Sequence, residues 1–436
     1  MGHGAAMPSL AILVLSHLAS TALSYDVGCY WYPRQSLDPW TRQPQTARNV
    51  SSLPPASCTY LDLGNLCLFN VTAAGRLDLT RMATPTRSCL DAAAEAADDV
   101  RRWKQAAPPH EQRRAFWEVW DWQEDQSLPG NFGPAHPLFH VFNDSSLARV
   151  EALVADIKAV SLLPQFHGVF DGINVDYEVD YRKPYPAARK GFNAFFQRVH
   201  EETGVGATID TGGIARLENL SEDLAALRPH IVFVEFMSYF NNLAKPGAST
   251  LLQDIHALLS PPYSFAPSQI AVGVGLSSAS WGGAHRATLS SCLFWGWYGC
   301  SDAHSSATHR SEGLGSPTWD VLGADVASGR AVRGISGEAQ GFARWSFYAN
   351  ASSLASSASS ASSANPGNAT GNATGEATFF NTEADLDMFA AFVRTHKLGG
   401  VFTWIATSDA PDWRVHRRLN KALNAPPLSS LPSTTA

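Results

Sequence analysis

Between Asp144 and Ala406 the chain switches repeatedly between a helical and a strand periodicity, and this alternation restricts its fold more than any other feature. Asp144 or Ser145 can cap a helix whose apolar stripe is Leu147, Val150, Leu153, Val154 and Ile157. A strand at residues 170–178 follows. The next helix bears Phe192, Phe195, Phe196 and Val199 and stops near Gly204. Strands are then expected at 206–210, 231–239, 270–276 and 401–405, separated by helices at 221–227, 251–259 and 382–393. Five strands separated by helices are the pattern of parallel β/α units. The stretch before Asp144 has room for three more, placed near Val27–Trp31, Tyr60–Phe69 and Ala115–Asp121. The fold class expected is therefore α/β, an eight-stranded TIM barrel, spanning residues 25–424.

Within that frame the run Phe170-Asp171-Gly172-Ile173-Asn174-Val175-Asp176-Tyr177-Glu178 stands out chemically. Side chains alternate between the faces of a strand. Ile173, Val175, Tyr177 and Val179 share one face, and Asn174, Asp176, Glu178 and Asp180 the other. Like charges at that spacing repel, and unpaired buried carboxylates are costly. Such a strand fits an active site, where crowding raises the pKa of one acid enough for it to donate a proton near neutral pH.

The run resembles the signature of glycoside hydrolase family 18, the chitinases and endo-β-N-acetylglucosaminidases: an apolar residue, Asp-Gly, alternating apolar and acidic or amide positions, and a closing Glu. A chance match in a chain of this length should be rarer than about one in a thousand. In that family the substrate's own 2-acetamido carbonyl attacks the anomeric carbon, so one general acid and groups that orient the acetamide suffice. The resemblance makes Glu178 the acid and Asp176 the group that holds the acetamide N–H. Asp171 and Gly172 belong to the motif as structural positions, Asp171 satisfying backbone or helix N-terminal donors. Asn174 departs from the family, where Asp is common and forms a chain of carboxylates that passes charge and protons away from the acid. Asn also occurs, as in the same stretch of lysosomal di-N-acetylchitobiase.

Glu235-Phe-Met237-Ser-Tyr239-Phe240-Asn241 resembles the family's sixth-strand Met-Ser/Thr-Tyr-Asp motif, whose Tyr hydroxyl bonds the attacking acetamide oxygen. Tyr239 is thus a catalytic candidate, and Met237 lies beside it on the same face. Phe240 replaces the usual Asp, a role Asn241 can fill. Trp404 on the last strand matches the Trp that floors the reacting sugar's subsite, an aromatic face suited to the C–H face of a pyranose. Phe294, Trp295, Trp297 and Tyr298, and separately Trp117, Trp120 and Trp122, are either sugar platforms or packing.

The resemblance implies hydrolysis of β-1,4-linked N-acetylglucosamine (in chitin, chito-oligosaccharides or the chitobiose core of N-glycans) with retention at the anomeric carbon. The competing reading is a glycan-binding lectin on the same barrel. Such relatives usually lose the closing Glu, which this chain keeps; Asn174 and Phe240 favour the lectin.

The remaining features concern compartment and partners. Leu10 to Ala19 is apolar and precedes Ala22-Leu23-Ser24, so residues 1–24 read as a signal peptide. Six cysteines and seven Asn-x-Ser/Thr sequons suit a secreted or lysosomal/vacuolar glycoprotein. Cys292 and Cys300 are expected to pair locally, leaving Cys29, Cys58, Cys67 and Cys89 to pair among themselves. With no CxxC and no HExxH, neither a metal nor a cofactor is expected. A formal net charge of −7 gives no reason to expect nucleic acid or a membrane surface as partner; the expected partner is a saccharide containing N-acetylglucosamine, bound by a monomer. Residues 350–378, almost entirely Ala, Ser, Asn, Gly and Thr, read as an unstructured insertion before the last barrel strand, and 425–436 as an unstructured tail.

Overall fold

The computed structural model of the protein describes residues 25–32, 50–54, 57–64, 66–72, 74–109, 111–120, 137–176, 186–211, 226–237, 251–275, 279–285, 308–311, 327–328, 332–336, 343–349, 374–380, 383–404, 406, 409 and 412–425. Eight parallel strands close into a barrel. They are β1 (Asp26–Trp31), β2 (Tyr60–Leu63), β3 (Arg114–Val119), β4 (Gly172–Asp176), β5 (Gly206–Thr211), β6 (Ile231–Phe236), β7 (Ile270–Gly275) and β8 (Gly400–Trp404). Each pairs with its sequence neighbours, and β8 closes the ring on β1 with Asp26 opposite Gly400. This is the TIM barrel expected from the alternation. The three early strands lie where the sequence put them, although the second stops at Leu63, after which Cys67–Phe69 turns as a 3-10 helix.

Seven helices are described: α1 (Cys89–Gln105), α2 (Pro137–Phe142), α3 (Ala148–Ser161), α4 (Pro186–Thr203), α5 (Leu251–Leu259), α6 (Glu383–His396) and α7 (Arg414–Leu423). The local chemistry accounts for their ends. Ser88 caps α1 by accepting from the Asp91 amide at 3.0 Å. Asp144 accepts from the Arg149 amide at 3.1 Å at the start of α3, while Gly204, at φ 72°, ends α4 in the left-handed conformation that favours glycine.

The period-two pattern divides each strand between two cores. Val27, Cys29 and Trp31 of β1, with Ile173 and Val175 of β4, face outward into the apolar layer beneath the helices. Trp117 lies in that layer, fully buried, its indole N–H donating to the Val169 carbonyl at 3.1 Å, and is therefore packing. Inside the barrel a separate aromatic cluster, Tyr60, Phe116, Phe233 and Phe402 with Ala271, forms a floor. Arg114 lies over the Phe233 ring at 5.0 Å and pairs with Asp26 at 3.0 Å. Gly172 belongs to this crowded level: a Cβ there would come within 2.4 Å of the Gly206 carbonyl oxygen.

Between β7 and β8 the chain makes a second sheet that the sequence reading did not foresee. Its five antiparallel strands lie in the order Thr308–Ser311, Ala279–His285, Thr374–Phe380, Ala343–Ala349 and Val332–Ser336. The expectation of an unstructured stretch fails at its end, where Thr374 pairs with His285 and Gly375 to Thr378 pair with both neighbouring strands, while residues 350–373 lie outside the described residues. The sequence there gave no warning, since Gly and Ala weaken a strand pattern without abolishing backbone pairing.

Two disulfides join the N-terminal cysteines among themselves, as expected: Cys29–Cys58 and Cys67–Cys89. Cys292 and Cys300 lie outside the described residues, as do the proposed leader 1–24 and the tail from 426. Among the described residues no helix is long and apolar enough to cross a membrane.

Candidate active site

The inner faces of β2 to β6 turn polar immediately above the aromatic floor. The pattern is visible strand by strand: Tyr60 then Asp62, Phe116 then Glu118, Gly172 then Asn174 and Asp176, Gly206 then Thr208 and Asp210, Phe233 then Glu235. Parallel register puts these residues at similar heights, with Asn174 opposite Glu118 on one side and Thr208 on the other, and Asp176 opposite Asp210, which is opposite Glu235. Asp62, Glu118, Asp176, Asp210 and Glu235 lie toward the C-terminal ends of their strands, the end at which barrels of this kind hold their active sites.

Asn174 is the hub. Its buried amide nitrogen lies 2.8 Å from Thr208 Oγ1, 3.0 Å from Glu235 Oε2 and 3.3 Å from Asp210 Oδ2, donating toward all three. Tyr60 donates its hydroxyl to Glu235 Oε1 at 2.6 Å, and Thr208 donates to Asp62 Oδ1 at 3.3 Å. Asp62 and Asp210 both lie within hydrogen-bond reach of Glu235. Three carboxyl groups thus meet where at most 3% of any of them is exposed. Among the described residues no Lys, Arg or His forms an ion pair with them.

Their electrostatics follow from this geometry. Burial, reinforced by the charge of Asp210, holds Asp62 well above the usual carboxylate range. Burial and then Glu235 do the same to Asp210, and burial and then Asp62 to Glu235. Each of the three is therefore harder to ionise than an exposed acid. Tyr30, fully buried, is pushed up by burial and then by Glu118, Asp210, Tyr32 and Asp176 in turn. Its hydroxyl has no hydrogen-bond partner among the described residues.

Above the acids the barrel mouth is aromatic. Trp404 lies 4.6 Å from Tyr30, ring centre to ring centre, and meets Tyr32 edge-on at 5.9 Å. Tyr30 also meets Tyr32 edge-on at 5.8 Å. Glu118 reaches the same corner, because a Cβ on Gly64 would touch its Oε2 and the rings of Tyr30 and Tyr32 together.

Among the sequence candidates, the structure brings Asn174, Asp176 and Trp404 to one end of the barrel. Met237 follows β6 and packs against the cluster containing Phe233. Asp171 sits before β4, where its carboxylate accepts from the Ala115 amide at 2.6 Å and pairs with Lys104. Gly172 begins the strand. Glu178, Tyr239 and Asn241 lie outside the described residues, as do Trp122 and the aromatic cluster at 294–298. Trp120 donates its indole N–H to the Leu66 carbonyl at 3.0 Å and packs on the outer core.

Asp62, Asp210, Glu118, Tyr30 and Tyr60 are not among the site residues expected from the sequence, where Glu235 enters only as the start of a motif. The available signal was a single polar residue at every second position of an otherwise apolar strand, as in Tyr-Leu-Asp-Leu at 60–63 and Ala-Thr-Ile-Asp at 207–210.

Comparison with protein-family models finds no match, and comparison with curated proteins finds none either. Solved structures do match. The catalytic domain 2 of a group II chitinase from Ostrinia furnacalis is similar at a TM-score of 0.60 and 13% identity, over 92% of this chain and 97% of that one. A class V chitinase from Nicotiana tobaccum is similar at 0.55 and 12%, over 92% and 99%. A chitinase-like agglutinin from Robinia pseudoacacia is similar at 0.55 and 13%, over 91% and 99%. The chain therefore has the fold of chitinases and of a chitinase-like lectin.

Proposed function

We propose that this protein is a glycosidase hydrolysing β-1,4-linked N-acetylglucosamine by substrate-assisted catalysis with retention. The observation that carries the reading is the barrel mouth. Asp176 ends β4 at the rim of a buried carboxyl cluster, beneath an aromatic corner made by Trp404, Tyr30 and Tyr32. An aromatic face takes the apolar face of a pyranose, and a carboxylate beside it suits an acetamide N–H and the positive charge that develops on it. In this mechanism Glu178 protonates the leaving oxygen, the acetamide oxygen closes on the anomeric carbon, and Glu178 then activates water. Tyr239 holds the attacking oxygen, with Met237 and Asn241 lining the same side.

A variant of the tobacco enzyme has been crystallised with NAG4, in line with an oligosaccharide of N-acetylglucosamine as the ligand here. The two disulfides favour an oxidising compartment, which supports export through a leader at residues 1–24 and a secreted or vacuolar location. The catalytic unit is taken as 25–424, working as a monomer and without metal or cofactor.

The similarity to an agglutinin, together with an amide at position 174, favours a second reading: a lectin that binds the same saccharides without cleaving them. One experiment separates the two. Wild type should release chromophore from a chitobioside, whereas Glu178→Gln should still bind N-acetylglucosamine oligomers and lose roughly 10²–10⁴-fold in turnover. Binding by wild type with no turnover establishes the lectin. Cleavage of a substrate whose reacting sugar carries a free amine, at the normal rate, refutes the acetamide as nucleophile.

A further inference from the structure

Position 174 poses a question. An amide there cannot exchange protons with Asp176, its neighbour on the inner face of β4. Yet the interior is not short of carboxyl groups. They stand on other strands, and the amide of Asn174 is bonded to two of them. Glu235 receives the Tyr60 hydroxyl on one oxygen and the Asn174 amide on the other, with Asp62 and Asp210 both within reach. That arrangement allows one buried charge and two shared protons, where three bare carboxylates without a cation would be prohibitive.

Asp210 links this cluster to the proposed catalytic strand. It is paired in register with Asp176 on one side and with Glu235 on the other. Side chains at registered positions of adjacent parallel strands start from Cα atoms roughly 5 Å apart. The groups facing Asp210 are Tyr30 from β1, Asp62 from β2, Glu118 from β3, Asn174 and Asp176 from β4, and Glu235 from β6. From β7 the inner face offers Ala271 and Gly273, and from β8 Phe402 and Trp404, none of which titrates. Arg114 lies with the aromatic floor and is committed to Asp26.

We propose that Asp210, sharing a proton with Glu235 and held by the Asn174 amide, is the positioning residue that exchanges a proton with Asp176, so that the carboxyl missing from position 174 has been relocated to the neighbouring strand. The step moves one proton between two carboxyl oxygens. When Asp176 faces the acetamide as a carboxylate, the proton rests on the Asp210–Glu235 pair and none leaves the cluster. This role rests on the hydrolytic reading given above.

The test is a relocation. Asp210→Asn removes the exchangeable proton and keeps the shape. It should lower kcat on a chitobioside by about tenfold to a hundredfold, leave KM within about threefold and change the pH profile of kcat. Adding Asn174→Asp to that variant returns a carboxyl beside Asp176 and should restore kcat to within about threefold of wild type. A merely structural aspartate would not be rescued from another strand. Infrared spectra at neutral pH give a readout independent of activity: Asp210→Asn should show one fewer protonated carboxyl than wild type, and the double variant should regain it.

The proposal is overturned if Asp210→Asn keeps the wild-type kcat and pH profile. It is overturned equally if the double variant, melting as wild type does, stays slow, or if the protonated-carboxyl signal does not change. If Asp210→Asn does not fold, Asp210→Ser with and without Asn174→Asp repeats the comparison. A wild-type chain without turnover, or a Glu178→Gln variant as fast as wild type, sinks the hydrolytic reading itself. That result is distinct from a slow Asp210 variant that fails to be rescued.

Discussion

Replacing Asp62 by Asn should make the protein more stable at neutral pH and much less so in acid. Asp62 is fully buried, accepts from Thr208 Oγ1 and lies within hydrogen-bond reach of Glu235. An asparagine keeps the shape, and its oxygen still accepts from Thr208. The difference is ionisation. Burial, and then the charge of Asp210, raise the folded-state pKa of Asp62 well above its unfolded value. Above the ordinary carboxylate range near pH 4, the unfolded chain has released this proton and the folded chain has not. Stability therefore falls as pH rises, by about tenfold in the folding constant per pH unit for each proton retained, until the folded group ionises. Between about pH 5 and pH 7 the wild-type chain therefore loses stability that a side chain unable to ionise at this position would keep. Urea unfolding at constant ionic strength across that interval measures it. Wild type should lose stability toward neutrality, and Asp62→Asn should lose less. Parallel pH dependences of the two proteins would show that Asp62 does not hold a proton in the folded state.

Three other perturbations test the scaffold. Asp409 accepts from the Val415 and His416 amides at the start of α7 and from His416 Nδ1 at 2.7 Å. Burial raises its pKa, but the His416 hydrogen bond and charge outweigh it and leave the group depressed, so its stabilisation is present above about pH 4 and is lost as pH falls through the lower folded value. Asp409→Asn should cost about 2–4 kcal/mol at neutral pH and flatten the acid limb of the stability profile. Gly172→Ala forces a Cβ to within 2.4 Å of the Gly206 carbonyl and 2.6 Å of the Phe116 ring, and should cost about 3 kcal/mol in chemical unfolding. Removing Cys67–Cys89, which closes a separation of 22 residues, by paired serine substitutions should cost about 3 kcal/mol and lower the melting temperature without moving the barrel strands.

The barrel was legible because its strands are local events. Ile231–Phe236 and Ile270–Gly275 are apolar runs of strand length, bounded by helix stops and turn residues. The parity of the acidic strand was legible for the same reason: Ile173 and Val175 do face the helices, and Asn174 does face inward. The carboxyl cluster was not. Tyr60 and Glu235 are 175 positions apart, and Asn174 is 61 from Glu235. Their meeting depends on strand register, which a single sequence does not display. Nor was the second sheet legible. Ala279–His285, Ala-Ser-Trp-Gly-Gly-Ala-His, and Thr308–Ser311, Thr-His-Arg-Ser, carry no apolar alternation to mark them as strands.

The excursion between β7 and β8 bears on how the chain is made. Closing a loop costs only about 0.6 kcal/mol for each doubling of its length. An insertion several times longer than an ordinary connection is thus a small burden on the finished barrel. Its burden falls on biosynthesis. Because β8 is hydrogen-bonded to both β1 and β7, both of those strands keep an unpaired edge until Gly400–Trp404 has been synthesised. At ordinary elongation rates the ribosome needs roughly 6–25 s to pass from the end of β7 to the end of β8. During that interval the nascent chain carries two sticky margins at once. The pace of translation through the insertion sets how long those edges stay open to pairing with another chain.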